Sequence, residues 1–297
     1  MLFGKPRIRD VVTLAFESTD IRYLSTRGGR VEKWGSRPLP PGLIAEGMIT
    51  NTLEMGKIID ELLTSEELER KRVITSLCGL RSIPRLLTLP KLQASLLQEA
   101  ISREARKEMP ISLESLYLSW QVMPGLREEE QRIYLLGVPR DLVDAQVQAL
   151  EAAGITPFVM DLKPLALIRA VREIEAVIVC LERDMFDIIL VVDYLPAIMR
   201  TFSISRENLD DQGRLDRLLH ELVQTIRFYN ETRPTSPIRP STSVFVTGKI
   251  FNDRAAIDYL KSVLDRPVER PLAPMPCPED LPVPEYATNF GLALKKV

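Results

Sequence analysis

Twice in this chain an apolar strand runs into a short polar turn and comes back as a second strand, and the two events lie far apart. Residues 11–16 are β-prone and end at Glu17-Ser18-Thr19-Asp20, after which Ile21-Arg22-Tyr23-Leu24 resumes strand character. Residues 176–181 form a fully apolar strand, and 188–192 and 198–202 continue it as a meander. Arg27-Gly28-Gly29-Arg30 marks the next turn in the first region, with a strand over 31–34, a helix carrying Met55, Ile58, Ile59, Leu62 and Leu63, and a strand over 72–77. The second region is followed by amphipathic helices over 215–229 and 255–264 that flank a buried strand over 243–246 and Thr247-Gly248. Strands and helices that alternate in this way imply an α/β chain.

Between the two hairpins lies a smaller unit. Residues 83–89 read as a strand closed by Pro90, and Leu92, Leu96, Leu97, Ala100 and Ile101 form one helical face that ends at Pro110. Residues 116–122 alternate, which places Leu116, Leu118, Trp120 and Val122 on one face and Trp120 in the core. A strand over 133–138 and a helix that starts at Pro139 and is capped by Gly154 complete a β-α-β-β-α order. Near the end, seven prolines between Pro267 and Pro284 predict a stiff extended connector, followed by a short helix over 286–296.

Composition removes several function classes. The chain has 297 residues, room for roughly two domains, and 45% of them are hydrophobic. With 39 basic and 41 acidic residues it lacks the basic surface of a nucleic-acid binder. No apolar run approaches a membrane span, and residues 1–10, with Lys5, Arg7 and Arg9, lack the apolar core of a secretory signal. Cys78, Cys180 and Cys277 are far apart and form no Cys-x-x-Cys pair, so neither a disulfide framework nor a thiolate metal site is expected. Cys180, inside an apolar strand, is expected to be an inert thiol. His220 is the only histidine and falls off the apolar stripe of its helix, which argues for a solvated side chain rather than a catalytic one. The basic residues Arg70-Lys71-Arg72, Arg81 and Arg85 read as solvated charge.

The order of hairpin, inserted α+β unit, second hairpin, helix and strand-Gly-helix resembles the actin-like ATPases, and within them the PilM family of type IV pilus assembly, with FtsA more distant. The matching pieces are residues 39–49, 85–90, 104–110, 116–122, Val138-Pro139, 149–157 with Met160-Asp161, and Gly291-Leu292-Ala293-Leu294. The resemblance implies an actin-like (ribonuclease H-like) two-domain α/β fold. Its first subdomain would span 1–80 and continue at 153–175 and 286–297. The inserted subdomain would span 81–152, the second actin-like subdomain 176–266, and the proline-rich connector 267–285.

It also implies a nucleotide site between the hairpin turns, where acids position magnesium and small residues let backbone N–H groups approach phosphate. At the family's first turn Ser18 and Thr19 remain, but the acid is replaced by Ala15 and the glycine by Glu17; at the second turn the substitutes are Cys180 and Glu182. The family's paired glycines in the adenosine region become Gly248-Lys249, and Asp161 falls where the family carries an acid, with an N-cap for the helix at Pro164 as the other reading. Glu17, Asp20, Glu182 and Asp184 are expected to gather where a triphosphate would sit. Like charges 4 Å apart repel by ~1 kcal/mol in water and ~4 kcal/mol at an effective dielectric of 20. Several such pairs would remove the binding energy of about 8 kcal/mol that a micromolar site needs. Bridging magnesium, or Arg183 and Lys249, would work the other way.

The implied function is that of a cytoplasmic scaffold, a pseudo-ATPase with no catalytic residue, no resident metal and no cofactor required; magnesium-ATP is the disfavoured possibility. Its implied partner is the cytoplasmic N-terminal segment of a bitopic inner-membrane protein of the PilN type. Arg85, Leu87, Leu92, Leu96 and Leu116 are the candidate residues of the receiving groove. Other pilus assembly proteins and a second copy of the chain are further implied partners; nucleic acid and direct membrane insertion are not. A slow ATPase whose nucleotide state controls partner binding is the alternative. An FtsA-like membrane anchor is not expected, because residues 291–297 are too short and lack a bulky aromatic face.

Overall fold

The computed structural model describes residues 10–124 and 127–296, so the basic start at 1–9 discussed above and Val297 lie outside the described residues. The chain divides into two compact units, one made of residues up to 80 together with 146 onward, the other of residues 81–145.

The larger unit begins with β1 (Val11–Phe16), β2 (Asp20–Arg27), β3 (Arg30–Pro38), the short pair β4 (Ile44–Ala45) and β5 (Met48–Ile49), α1 (Thr52–Ser65) and β6 (Val73–Leu77). α1 starts where Asn51 accepts a hydrogen bond from the Glu54 N–H at 3.1 Å, and it buries Met55, Ile59, Leu62 and Leu63. The smaller unit holds β7 (Ile83–Pro90), α2 (Ala94–Glu108), a 3₁₀ turn, β8 (Leu116–Pro124), β9 (Glu130–Pro139) and the start of α3 (Arg140–Ala152). The expected boundary at 152 therefore moves to the middle of α3, whose second half belongs to the larger unit. Ala149 and Ala152 lie against Gly56 of α1 in that half, so the helix is shared rather than inserted whole.

The larger unit resumes with β10 (Val159–Leu162), α4 (Lys163–Val171), β11 (Ala176–Leu181), β12 (Met185–Val192), β13 (Leu195–Ser203), α5 (Asp211–Thr232), β14 (Val244–Thr247), α6 (Arg254–Val263), β15 (Val268–Glu269) and α7 (Ala287–Ala293). Its two five-stranded sheets have the orders β10-β6-β1-β2-β3 and β13-β12-β11-β14-β15. Each is mixed: β1 pairs antiparallel with β2 and parallel with β6, and β11 pairs antiparallel with β12 and parallel with β14. β11 is buried along its whole length, which is why its sequence is an unbroken apolar run rather than an alternation.

α4 and α7 pack closely, and at Gly291 an added Cβ would lie 1.8 Å from the Ala166 carbonyl oxygen, so only glycine permits the approach. The proline-rich stretch is not a free linker. Met275 and Leu281 are buried in the core, Val31 donates its N–H to the Pro276 carbonyl at 2.9 Å, and β15 adds an edge strand to the second sheet. In the smaller unit the order β7-β9-β8 forms an antiparallel sheet, with Ala100, Ile101 and Ala105 of α2 packed on Leu87, Leu89, Leu116, Ile133 and Leu135.

Candidate functional site

The two hairpins that stand out in the sequence are built alike. At the first turn the Glu17 N–H donates to the Asp20 carbonyl at 2.9 Å; at the second the Glu182 N–H donates to the Met185 carbonyl at 3.0 Å. Across the first hairpin Ala15 faces Arg22, and across the second Cys180 faces Asp187. Each position where an acid is expected is thus small or weakly polar, and a buried charge sits opposite it in the strand pair.

Those charges organise the site. Arg22 is 1% exposed. Its guanidinium donates to both Glu182 carboxylate oxygens, at 2.7 and 2.6 Å, to Asp20 Oδ1 at 2.9 Å and to the Glu285 carbonyl at 3.1 Å, with Glu285 Oε1 3.4 Å away. This fork ties β2, the second hairpin turn and the end of the proline-rich stretch together. Lys163, at the start of α4, is also buried; its Nζ lies 2.9 Å from Glu17 Oε2 and 3.6 Å from Asp187 Oδ2. Asp187 in turn accepts from Thr201 Oγ1 at 2.6 Å. The carboxylates gather as expected, but they do not stand as uncompensated like charges: Glu17, Asp20 and Glu182 all have internal cationic partners. Asp184 is not part of the cluster; it is half-buried and its carbonyl accepts from the Ile204 N–H at 2.8 Å.

Burial works against each charge, and the partners decide the outcome. For Glu182 burial raises the pKa, but the Arg22 charge and hydrogen bonds bring it below its usual 4.5. For Arg22 burial disfavours the cation, and Glu182, Glu17 and Asp20 hold its pKa well above the ordinary arginine value. For Lys163 too burial disfavours the cation, and the Glu17, Asp187 and Glu182 carboxylates around it hold its pKa well above the usual lysine value. Glu17 goes the other way. Burial raises it to about 7, only partly offset by Lys163 and reinforced by the Glu182 charge. Its Oε1 is buried without a hydrogen-bond partner. The Cys78 thiol is pushed up to about 12 by burial and by the Asp187 charge, and Cys180 is pushed up by burial as well, so both remain protonated and unreactive at neutral pH.

The remaining candidates are already engaged. Thr19 Oγ1 donates to Asp20 Oδ2 at 2.9 Å. Ser18 is half-buried at the turn tip. The Gly248 N–H donates to the Pro284 carbonyl at 2.8 Å, and the Lys249 N–H to Glu182 Oε1 at 3.3 Å, so neither is directed at a ligand. Gly248 has φ +99°, and an added Cβ would lie 2.3 Å from the Leu181 carbonyl oxygen. Asp161 is not an N-cap, since Leu162 occupies that position; its carboxylate is held by Arg169 and by Lys295 at 3.1 Å. Ala15 and Cys180 stand where the resemblance expects acids, and the carboxylates of Asp20, Glu182 and Glu17 are engaged by Arg22 and Lys163. Beside the network a cavity of about 880 Å³, lined among others by Thr19, Glu182, Arg183, Lys249, Asn252 and Tyr259, remains open. Among the described residues no cluster of histidine, cysteine and acidic side chains could hold a metal ion.

In the smaller unit, Leu87 and Leu116 lie in the core beneath α2 and Leu92 packs against it. Leu96 on α2 is 53% exposed and Leu86 on β7 is 50% exposed. Arg85 donates to the Glu108 carbonyl at 3.1 Å and so caps the C-terminal end of α2. Trp120 is 39% exposed rather than buried, because α2 covers only the first half of β8. Arg81 pairs with Asp141 at 3.0 Å, and His220 is exposed.

Sequence reasoning misses Arg22, Lys163, Asp187 and Glu285. A signal was available: Arg22 is the one cation in the buried part of β2 and Asp187 the one charge in β12, and a buried charge needs an opposite partner.

A family model described as type IV pilus assembly protein PilM matches residues 13–209. A chain of a PilM–PilN type IV pilus biogenesis complex is similar with a TM-score of 0.77 and 23% identity, covering 97% of this chain and 98% of that one. The ethanolamine utilization protein EutJ of Carboxydothermus hydrogenoformans gives 0.57 at 13% identity over 96% and 89%. The cytoplasmic domain of EpsL, an inner-membrane component of the type II secretion system of Vibrio cholerae, gives 0.56 at 13% identity over 97% of each chain. The architecture is the actin-like α/β fold.

Proposed function

Because the chain belongs to the PilM family of type IV pilus assembly proteins, we propose that it is a scaffold that holds the cytoplasmic N-terminal segment of a bitopic, PilN-like inner-membrane protein and does so without efficient ATP hydrolysis. The protein would then be cytoplasmic and peripheral to the inner membrane through this partner, in contact with other pilus assembly proteins. Among the described residues no helix is long and apolar enough to cross a membrane.

The observation that carries the reading is the Arg22–Glu182 fork. In an actin-like enzyme the two hairpin turns are joined through phosphate and metal, which come and go with the reaction cycle. Here a buried two-oxygen salt bridge, supported by Lys163 between Glu17 and Asp187, makes that connection permanently from the chain's own side chains. Holding an extended peptide requires shape and exposed apolar anchors rather than a reacting group, and Leu86 and Leu96 supply such anchors on the inserted unit.

The test is calorimetric titration of the full chain with a synthetic peptide covering the N-terminal cytoplasmic residues of the PilN-like protein encoded with it. Binding of equal strength with and without magnesium-ATP supports the reading; no binding, or binding only with nucleotide, overturns it. The second reading, a slow ATPase that controls partner affinity, draws on the open cavity beside Lys249 and Arg183. Thermal melting separates the two: magnesium-ATP at 100 times its dissociation constant would add ~2.7 kcal/mol of stability, whereas a flat response favours the scaffold.

A further inference from the structure

Sheet edges attract other strands, and proteins blunt them with charges, prolines or very short strands. In this chain β3 carries Arg30, Glu32, Lys33 and Arg37, β7 carries Pro84, Arg85 and Pro90, and β13 carries Pro196 and Arg200. β10 contains Asp161, and β15 is two residues long. β8 is the exception among the described residues. It is an edge strand of nine residues, Leu-Tyr-Leu-Ser-Trp-Gln-Val-Met-Pro, without a charge and with its one proline at the final position. It pairs only with β9, and along it Tyr117 is 40% exposed, Trp120 39% and Val122 48%.

We propose that β8 is a self-association edge, which pairs antiparallel with β8 of a second copy about a two-fold axis at Trp120. The strand is its own complement about that residue. With Trp120 on the axis, Leu118 meets Val122 of the other copy on the α2 side of the sheet. On the opposite side Tyr117 meets Met123 and Ser119 meets Gln121. Every facing pair is apolar with apolar or polar with polar, and no like charges oppose each other. The pairing joins two three-stranded sheets into one of six strands. It also covers the second half of β8, where α2 leaves Trp120 and Val122 uncovered. One occupant is favoured over a charged extended segment of another protein, because β8 offers such a segment nothing to neutralise. The interface is a single strand pair, which places it at the weak, concentration-dependent end of dimers.

Sedimentation equilibrium of the full chain over a wide concentration range is expected to show a monomer–dimer equilibrium, with a dissociation constant in the micromolar range. Trp120→Lys, which sets two ammonium groups face to face on the axis, should weaken it at least about 100-fold by opposed charge and lost apolar contact. A second measurement does not disturb the tryptophan. Ser119→Cys mixed with Gln121→Cys and mildly oxidised should give a covalent heterodimer, while either variant alone, whose thiols lie diagonally, gives little. A chain that stays monomeric at its highest soluble concentration overturns the proposal. So does a dimer that Trp120→Lys leaves intact, or one that the mixed cysteines fail to trap. A strand supplied only by another protein would appear as the first of these results.

Discussion

Replacing Arg22 with methionine keeps much of the side chain's length and apolar stem but removes the guanidinium from a site that is closed to water. Glu182 loses both of its hydrogen bonds to Arg22 and keeps the Lys249 N–H at 3.3 Å; Asp20 keeps Thr19 Oγ1 at 2.9 Å and Lys249 Nζ at 3.9 Å. Removing one partner from a buried pair costs about 3–5 kcal/mol, because the other charge stays behind without compensation. That is a large part of a typical domain's stability. The cost has a pH signature. With Arg22 present the Glu182 pKa lies below 4.5, so this group contributes stability above its unfolded value and loses it as pH falls through the lowered folded value. Without Arg22, burial, the largest influence on Glu182, is opposed only by Lys163 and the Lys249 N–H, and it favours the protonated acid. Urea unfolding of Arg22→Met should therefore show the full cost at pH 7.5 and a smaller one near pH 4.5. In a Glu182→Gln background the same substitution should cost about 2 kcal/mol less, the coupling of a pair in contact. A loss below about 1 kcal/mol at pH 7.5, or strict additivity with Glu182→Gln, would refute the claim that this fork holds the turns together.

Other consequences can be measured separately. Glu17 titrates near 7 in the fold against 4.5 when unfolded, so its contribution to stability falls as pH rises through that window; Glu17→Gln should flatten this slope by on the order of 3 kcal/mol, read from urea midpoints between pH 4.5 and 7.5. Gly248→Ala forces a side chain into φ +99° and against the Leu181 backbone, and should lower stability by at least about 2 kcal/mol in thermal melts. Gly291→Ala raises helix propensity by about 0.5–1 kcal/mol yet should be strongly destabilising, since the methyl would overlap the Ala166 carbonyl; a stabilised variant would show that α4 and α7 can separate. Leu86→Lys and Leu96→Lys alter half-exposed side chains, so melting should be nearly unchanged while affinity for the PilN-like peptide falls by about tenfold or more.

The fold was legible because its signals are local and repeated. The two hairpins, the α+β insertion and the helix stripes each follow from apolar period or turn chemistry. What the sequence hid falls into two kinds. Trp120 alternates like a core residue, but alternation reports which face a side chain is on and not how far the covering helix reaches; α2 stops short of it. The second kind is the ion network, whose partners are separated by about half of the chain or more: Arg22 from Glu182 and Glu285, and Lys163 from Glu17. No spacing rule joins such residues.

Charge arithmetic, however, points to them. Four substituted positions read one at a time suggest only loss, with two acids gone and two carboxylates put where glycines are expected. Buried carboxylates must be neutralised by protonation or by a partner, so Glu17 and Glu182 in apolar hairpins require cations nearby, and the only cation inside the first hairpin's second strand before its exposed end is Arg22. The structure uses both routes. Arg22 keeps Glu182 ionised, while Glu17, with one oxygen unpartnered, rises to about 7 beside Lys163. The carboxylates are therefore held in a lock built from the chain's own cations, and that lock joins the two hairpin turns through side chains alone.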